Sequence, residues 1–437
     1  MMRGFFVNIK NSMLWLVKWL ILSLLIGWSI GLVMSGFGYV VEKATQFRLE
    51  HWPIILGLPF AGLVIVFCYR KLDLEKSSTS TVIEAVRKEQ HKITFKLAPL
   101  ILVSTILTHL FGGSSGREGA ALQFGGSVGS FVSRKLKMND GSGRIFLLAA
   151  MSASFAALFG TPLAAAIFPM EFVSVGVLYY AALVPCVLSA FVAHSVTIFF
   201  GTHEIAIPYE ISNVPGLYSV AFLKGILLGV LCALVGIIFC EALHYGGGFA
   251  KKWFKNPYLR VVVGGCLVIL LTFIVGSQDY NGLSSGLITE SFNGTAPAFA
   301  FLIKILFTVL TLCMGFKGGE IVPSFVIGAT FGCLMGGILG LPINLAVACG
   351  MCGVFCAVTN SPITSLLIAF ELFGFDGMGF FAIVVAISYM LSGYYSVFGS
   401  QKIMYSKFDT VFINKKAGEF YADVKKKALE EKKEERS

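Results

Sequence analysis

Residues 112–126 read GGSSGREGAALQFGG. The stretch is dense in glycine and sets Arg117 beside Glu118 inside otherwise apolar sequence. Charges at membrane depth are expensive and mark functional positions by default. A second stretch, GFKGGEIVPSFVIGA at 315–329, is built the same way. The two align without gaps: Thr105 and Thr108 fall on Thr308 and Thr311, Gly112 on Gly315, Gly116 on Gly319, and Gly125 on Gly328. Further on, GTPLAAAIFPMEF (160–172) matches NSPITSLLIAFELF (360–373), with Pro162 on Pro362 and Glu171 on Glu371. Two registered blocks in the same order set chance similarity aside. Internal repeats of this kind belong to transporter folds, which place the substrate at the repeat interface near the bilayer midplane.

The rest of the chain supplies the membrane. Charged residues make up 13% of the 437, against about 25% in an average soluble domain. Uncharged runs at 19–41, 145–170, 172–202, 261–278, 321–370 and 377–401 exclude a soluble enzyme. The net charge of +10 fits basic loops on the inner side rather than nucleic-acid binding. Cys349 and Cys352 have redox-motif spacing but lack a βαβ context, so they read as small buried hydrophobes. No cluster of metal ligands and no cofactor motif stands out, and His109 in its apolar run reads as a hydrogen-bonded core residue.

In order, 1–12 read as an interfacial N-terminal segment and 13–200 as the first membrane repeat. The first helix (about 13–43) is too long for a signal peptide and is expected to be retained. Helices are expected at 119–132, 145–159 and 163–200. Residues 201–215, with His203, Glu204 and Glu210, read as an outer loop between repeats. The second repeat spans 216–405, with its last helical runs at 363–374 and 377–400. The tail 406–437 is charged, expected solvated or disordered, with no second soluble domain. Ser78, Thr79 and Ser80 precede an amphipathic segment and carry an N-cap signature.

Each motif places non-helical backbone between apolar runs. Such backbone is tolerated at membrane depth only where protein buries it or where it lines a cavity. The helix that follows begins in mid-membrane with unpaired N–H groups and a positive dipole end. Two facing helix starts would hold an anion without a cationic side chain, whose full charge would grip the ion too tightly for it to leave. Glu118 sits at such a start. Its carboxylate would stand in the anion's place and, once protonated, could withdraw, coupling proton movement to anion movement. The plainer alternative is a structural ion pair with Arg117.

These residues resemble a known family. GSSGREG and GGEIVPSFVIGA look like the two central motifs of the CLC superfamily of chloride channels and proton-coupled antiporters, over roughly residues 13–405. LTHLFGGSSGREGAALQFGGS and LIKILFTVLTLCMGFKGGEIVPSF are most similar to the fluoride branch, CLC-F, which exchanges fluoride for protons and protects bacteria. The resemblance implies an all-α polytopic fold of two inverted-topology repeats, with broken and tilted helices meeting at a central anion site. It implies a homodimer in the cell membrane, each subunit with its own pore, both termini cytoplasmic, and no cofactor. Glu118 becomes the gate and proton carrier, and Glu320 the proton relay. Backbone N–H groups at Gly116, Arg117, Gly119, Gly319, Ile321 and Val322 would hold the anion. Ser78, Thr79 or Ser80 would add hydroxyls, and Phe398 and Phe370 an aromatic lining. Glu171 and Glu371 would fix helices at a polar inner surface.

The chloride-branch GSGIP motif is missing near 76–82, which reads KSSTSTV, and Phe172 stands where chloride/proton antiporters carry an inner glutamate. From the fluoride pattern, Val322 replaces a threonine, Phe398 a tyrosine, and Ser and Thr the asparagines of the first motif. A chloride channel or chloride/proton antiporter on the same scaffold is the alternative. A membrane enzyme or receptor is a third class, with no nucleophile–base spacing behind it.

Overall fold

A computed structural model describes residues 2–87, 93–201, 211–216 and 219–421, with side chains from residue 9. Sixteen α-helices are found among the described residues, and they fall into two sets of eight. The first set is α1 (Met2–Glu50), α2 (Leu58–Lys71), α3 (Thr79–Arg87), α4 (Leu97–Leu110), α5 (Glu118–Lys135), α6 (Asp140–Phe159), α7 (Pro162–Glu171) and α8 (Leu183–Phe199). The second is α9 (Val220–Trp253), α10 (Pro257–Val275), α11 (Ser285–Phe292), α12 (Ala300–Met314), α13 (Ile321–Leu339), α14 (Ile343–Thr359), α15 (Pro362–Phe373) and α16 (Met378–Leu391). The sets correspond in order, a long helix first in each and a short third helix in each.

Local chemistry sets the breaks. Gly160 and Asn360 end α6 and α14 in the left-handed conformation, at φ +75° and +56°. Pro162 and Pro362 then open α7 and α15, because proline lacks an N–H that the first turn would leave unpaired anyway. The Asn139 side chain accepts the Ser142 N–H at 2.8 Å and starts α6.

Seven helical segments among the described residues are long and apolar enough to cross a membrane. Leu25 and Trp28 on α1, Phe60 on α2, Leu223 on α9 and Ile274 on α10 are exposed. Apolar exposure on this scale suits lipid, and the chain is a multi-pass membrane protein. Inside this layer, α5 packs on α6 and α13 on α14 through glycine. A methyl group on Gly129 would come within 2.9 Å of Ala150 Cβ, and one on Gly328 would run into the Gly350 carbonyl. Cys349 and Cys352 are buried in α14.

The inversion is visible where α7 meets α15. Glu171, at the end of α7, accepts the N–H groups of Ile363 and Thr364 at 2.9 and 2.8 Å, and the Thr364 hydroxyl at 2.6 Å. Glu371, in the last turn of α15, accepts those of Leu163 and Ala164 at 2.8 and 2.9 Å. Each repeat's carboxylate caps the other repeat's helix, a geometry open only to antiparallel elements. Thr161 and Ser361, at the cap positions, make no side-chain cap bond. Glu171 is therefore a buried cap rather than a residue of a polar inner surface.

Several expected boundaries move. The N-terminal segment is not separate, since α1 runs unbroken from Met2. The expected helical run 163–200 divides between α7 and α8, and 392–400 lies beyond α16. One small sheet joins the repeats: β1 (Ser174–Val175) pairs in parallel with β2 (Lys402–Tyr405), and β2 antiparallel with β3 (Phe412–Lys416). The first part of the tail is therefore ordered, up to Tyr421. His203, Glu204 and Glu210 lie outside the described residues, as does 422–437.

Candidate anion site at two facing helix starts

The two glycine motifs clasp each other. The Gly116 N–H donates to the Gly319 carbonyl at 2.7 Å, and the Gly319 N–H to the Gly116 carbonyl at 2.7 Å, forming an isolated antiparallel bridge. Side chains would prevent this approach: a methyl on Gly119 would stand 2.7 Å from Gly319 Cα. The bridge also corrects one expectation. The N–H groups of Gly116 and Gly319 are engaged with each other and are not donors for an anion.

The donors lie one step further along. The first backbone bond at the start of α5 is from the Ala121 N–H to the Arg117 carbonyl at 3.1 Å, so the N–H groups of Glu118, Gly119 and Ala120 precede it. In α13 the corresponding bond is from the Ser324 N–H to the Glu320 carbonyl at 3.2 Å, leaving those of Ile321 and Val322 ahead of it. Both ends carry the positive pole of a helix dipole.

Glu118 is fully buried, and its carboxylate lies back over the start of α5. Its Oε2 accepts the Arg117 N–H at 3.0 Å, so that donor holds a carboxylate where an external anion would bind. The Arg117 Nε stands 3.7 Å from Glu118 Oε1, and its Nη2 donates to the Leu158 carbonyl at 3.5 Å, tying the loop to the end of α6. Glu320 occupies the corresponding turn before α13 and is half-buried. Its buried Oε2 has no hydrogen-bond partner and faces the start of α5, where a methyl on Gly119 would lie 3.5 Å away.

Thr79, buried at the start of α3, accepts from Gln123 Nε2 of α5 at 3.4 Å. The Ser78 N–H donates to Thr81 Oγ1 at 3.2 Å, the return half of a capping box at the start of α3. Ser78 is exposed and Ser80 half-buried, and the Ser80 carbonyl accepts from Ser400 Oγ at 3.2 Å. Buried Phe398 packs edge-on against Phe172 at 5.2 Å, and Phe172 stacks on Phe168 at 4.7 Å. The start of α3, α5 and the 398–401 segment therefore converge. Phe370 does not join them. Its ring stacks on exposed Phe375 at 5.0 Å, with Phe381 at 6.5 Å.

A buried cation stands behind the first motif. Lys304 on α12 is fully buried and donates to Ser114 Oγ (2.9 Å), Ser284 Oγ (2.7 Å), and the carbonyls of Tyr280 (3.2 Å) and Gly282 (3.1 Å). Ser114 also contacts Thr308 Oγ1 at 3.2 Å, and its N–H donates to Thr311 Oγ1 at 3.0 Å. Buried Arg48 donates to the His109 carbonyl at 3.2 Å, and Asn281 Nδ2 to that of Gly112 at 2.6 Å. His109 is fully buried in α4, a core residue as expected. Lys304, Arg48, Asn281 and Gln123 are not among the residues the motifs single out. Lys304, the one charge in FLIKILFTVL, carried the signal that singled out Glu118.

A family model described as voltage gated chloride channel matches residues 61–393. A chloride/fluoride channel protein of Pseudomonas syringae pv. tomato is 32% identical over 90% of this chain and 88% of its own. A proton/chloride exchange transporter of Vibrio cholerae is 28% identical over 59% and 58%. Among solved structures, a CLC-type fluoride/proton antiporter superposes with a TM-score of 0.85 at 33% identity, covering 89% of this chain and 98% of that one. A slow cyanobacterial chloride/proton antiporter shares the fold, with a TM-score of 0.73 at 16% identity over 86% and 94%.

Proposed function

The chain belongs to the voltage-gated chloride channel family, and on that premise we propose that it exports fluoride across the membrane in exchange for protons. The observation that carries this reading is the Glu118 carboxylate taking the Arg117 N–H at the start of α5, where an anion would otherwise bind. Deprotonated, Glu118 competes with fluoride for the helix start. Protonated, it loses the charge that the dipole holds and gives way, so each turnover moves both ions. Fluoride is bound by the N–H groups of Gly119, Ile321 and Val322, with the Thr79 hydroxyl added. Glu320 receives the proton on the other side of the bridge.

One similarity favours fluoride/proton exchange, the fluoride/proton antiporter structure at 33% identity; the Pseudomonas relative is described as a chloride/fluoride channel protein. Both termini lie on the cytoplasmic face, supported by the basic ends of α5 (Arg134, Lys135) and α9 (Lys251, Lys252). The Lys416–Glu84 ion pair at 3.2 Å sets the tail beside α3. The working unit is a homodimer with one pore per subunit.

Reconstituted liposomes with fluoride and pH electrodes test the reading. Fluoride efflux is expected to exceed chloride efflux and to drive protons inward. Glu118→Gln, which cannot change charge, is expected to abolish proton movement. Efflux favouring chloride would make the protein a chloride transporter on the same scaffold. Fluoride passage with no uphill protons would make it a channel, and zero flux would end the transport reading.

A further inference from the structure

A cavity of about 480 Å³ opens beside the end of α9. Exposed His244, Gly248 and Lys251 stand at one part of its wall, and half-buried Glu320 at another. Cys240, Cys313, Leu243 and Leu312 supply most of the remainder. Ser396, Val397 and Gly399 close it from the segment that carries Phe398. Glu320 thus touches this space while its Oε2 stays buried toward Gly119.

We propose that this cavity is the proton's passage between the tail face of the membrane and Glu320, with His244 as the relay at its mouth. The inference rests on the reading of Glu320 as the proton relay and deepens it. The wall is poorly suited to a strongly hydrated anion. The two basic groups, Lys251 and His244, stand at the exposed part of the wall; further in, the Glu320 carboxylate would repel the ion and Cys, Leu and Gly offer few donors. The Ser396 hydroxyl already accepts the Phe398 N–H at 3.1 Å, and the Ser396 N–H is held by Tyr421 Oη at 3.1 Å. Water, by contrast, fills a space of this size and conducts protons. Imidazole changes charge near neutral pH, which fits His244 for the exchange. Its ring stacks on Tyr421 at 4.2 Å, fixing it at the opening. The charged and titratable groups facing Glu320 across the cavity are His244, Lys251 and Cys240 of α9 and Cys313 of α12. In the step itself, the neutral His244 imidazole accepts a proton from a water chain that reaches Glu320, and the imidazolium releases one to the tail-side solution. Run in the direction of proton entry, Glu118 yields its proton to the Glu320 carboxylate past Gly119, and Glu320 later releases one proton to that chain.

The experiment fills the cavity. A side chain on Gly248 meets nothing within 4 Å, so Gly248→Phe enters the space without backbone strain. Exchange is measured in liposomes while tail-side pH and fluoride are varied separately, and thermal melting checks that each variant folds. Gly248→Phe is expected to slow exchange by about tenfold and to make the rate depend more steeply on tail-side proton concentration. Half-saturating fluoride should stay within about twofold. His244→Phe keeps a ring against Tyr421 and should raise proton dependence in the same direction. An unchanged rate in Gly248→Phe, or a raised half-saturating fluoride with unaltered proton dependence, overturns the proposal. Glu320→Gln separates the two levels: if coupling survives that change, the reading of Glu320 fails whatever the plug does.

Discussion

Lys304 shows how much a single membrane residue can carry. Four oxygens surround its amine, two from side chains and two from carbonyls, and no carboxylate is among its partners in the described residues. It joins α12 to the loop between α10 and α11 and to Ser114, and thereby holds the first motif in place. Replacing it with methionine would leave those acceptors unpaired, at about 1–3 kcal/mol each where no water replaces the amine. Lys304→Met is expected to lower the melting temperature and to slow transport, read by thermal unfolding and liposome flux on the same preparation. Lys407, in the segment after β2, makes a different prediction. It donates to Asn360 Oδ1, Ser392 Oγ and the Tyr389 carbonyl, and burial pushes its amine from 10.5 down to about 7. Between those values the unfolded chain binds the proton and the folded chain does not. Stability should therefore rise as pH rises from about 7 toward 10. Below about 7 both states are charged and the dependence vanishes. Lys407→Met should flatten the rise in a pH series of thermal melts.

At the scale of elements, helix ends tie the two repeats to each other. The paired caps between α7 and α15 are charge-assisted, and each satisfies two N–H groups that the sequence leaves without a local acceptor. Glu171→Gln or Glu371→Gln keeps the shape and removes the charge. Each is expected to lower stability by about 1–2 kcal/mol with anion selectivity unaltered, as measured by melting and by the fluoride-to-chloride flux ratio. The clasp between the motifs works on the same principle. Pairing Gly116 with Gly319 fixes the distance between two positive helix ends that would otherwise repel.

At the scale of the whole molecule, inversion gives the two acids different surroundings. Glu118 and Glu320 precede or begin equivalent helices of opposed repeats. One is fully buried and the other touches a cavity on the tail side. A transporter needs such asymmetry, because the ion site must be reached from the two faces by different routes. The homodimer is checked by mass measurement in detergent, where twice the chain mass is expected. Exposed residues on α1, α9 and α10 bear on lipid or on a second subunit, and cross-linking from single cysteines would distinguish them.

The sequence by itself determined the membrane class, the repeat and the two helix starts. Each is written in local signals: uncharged run length, glycine and proline breaks, and a charge where a charge is costly. The family motifs at 113–119 and 318–329 lie in those same residues. Only the tertiary structure decided which N–H groups are engaged. The Gly116–Gly319 bridge and the crossed Glu171 and Glu371 caps join residues far apart in the chain, and hydrogen bonds of that range leave no periodicity to read. It also drew the first part of the tail into a sheet with β1, and placed Phe370 with Phe375 rather than beside the motifs. A side chain's type is local, but its partner is fixed by how two inverted halves pack, and in this protein the partner decides whether a group binds the ion or holds the frame around it.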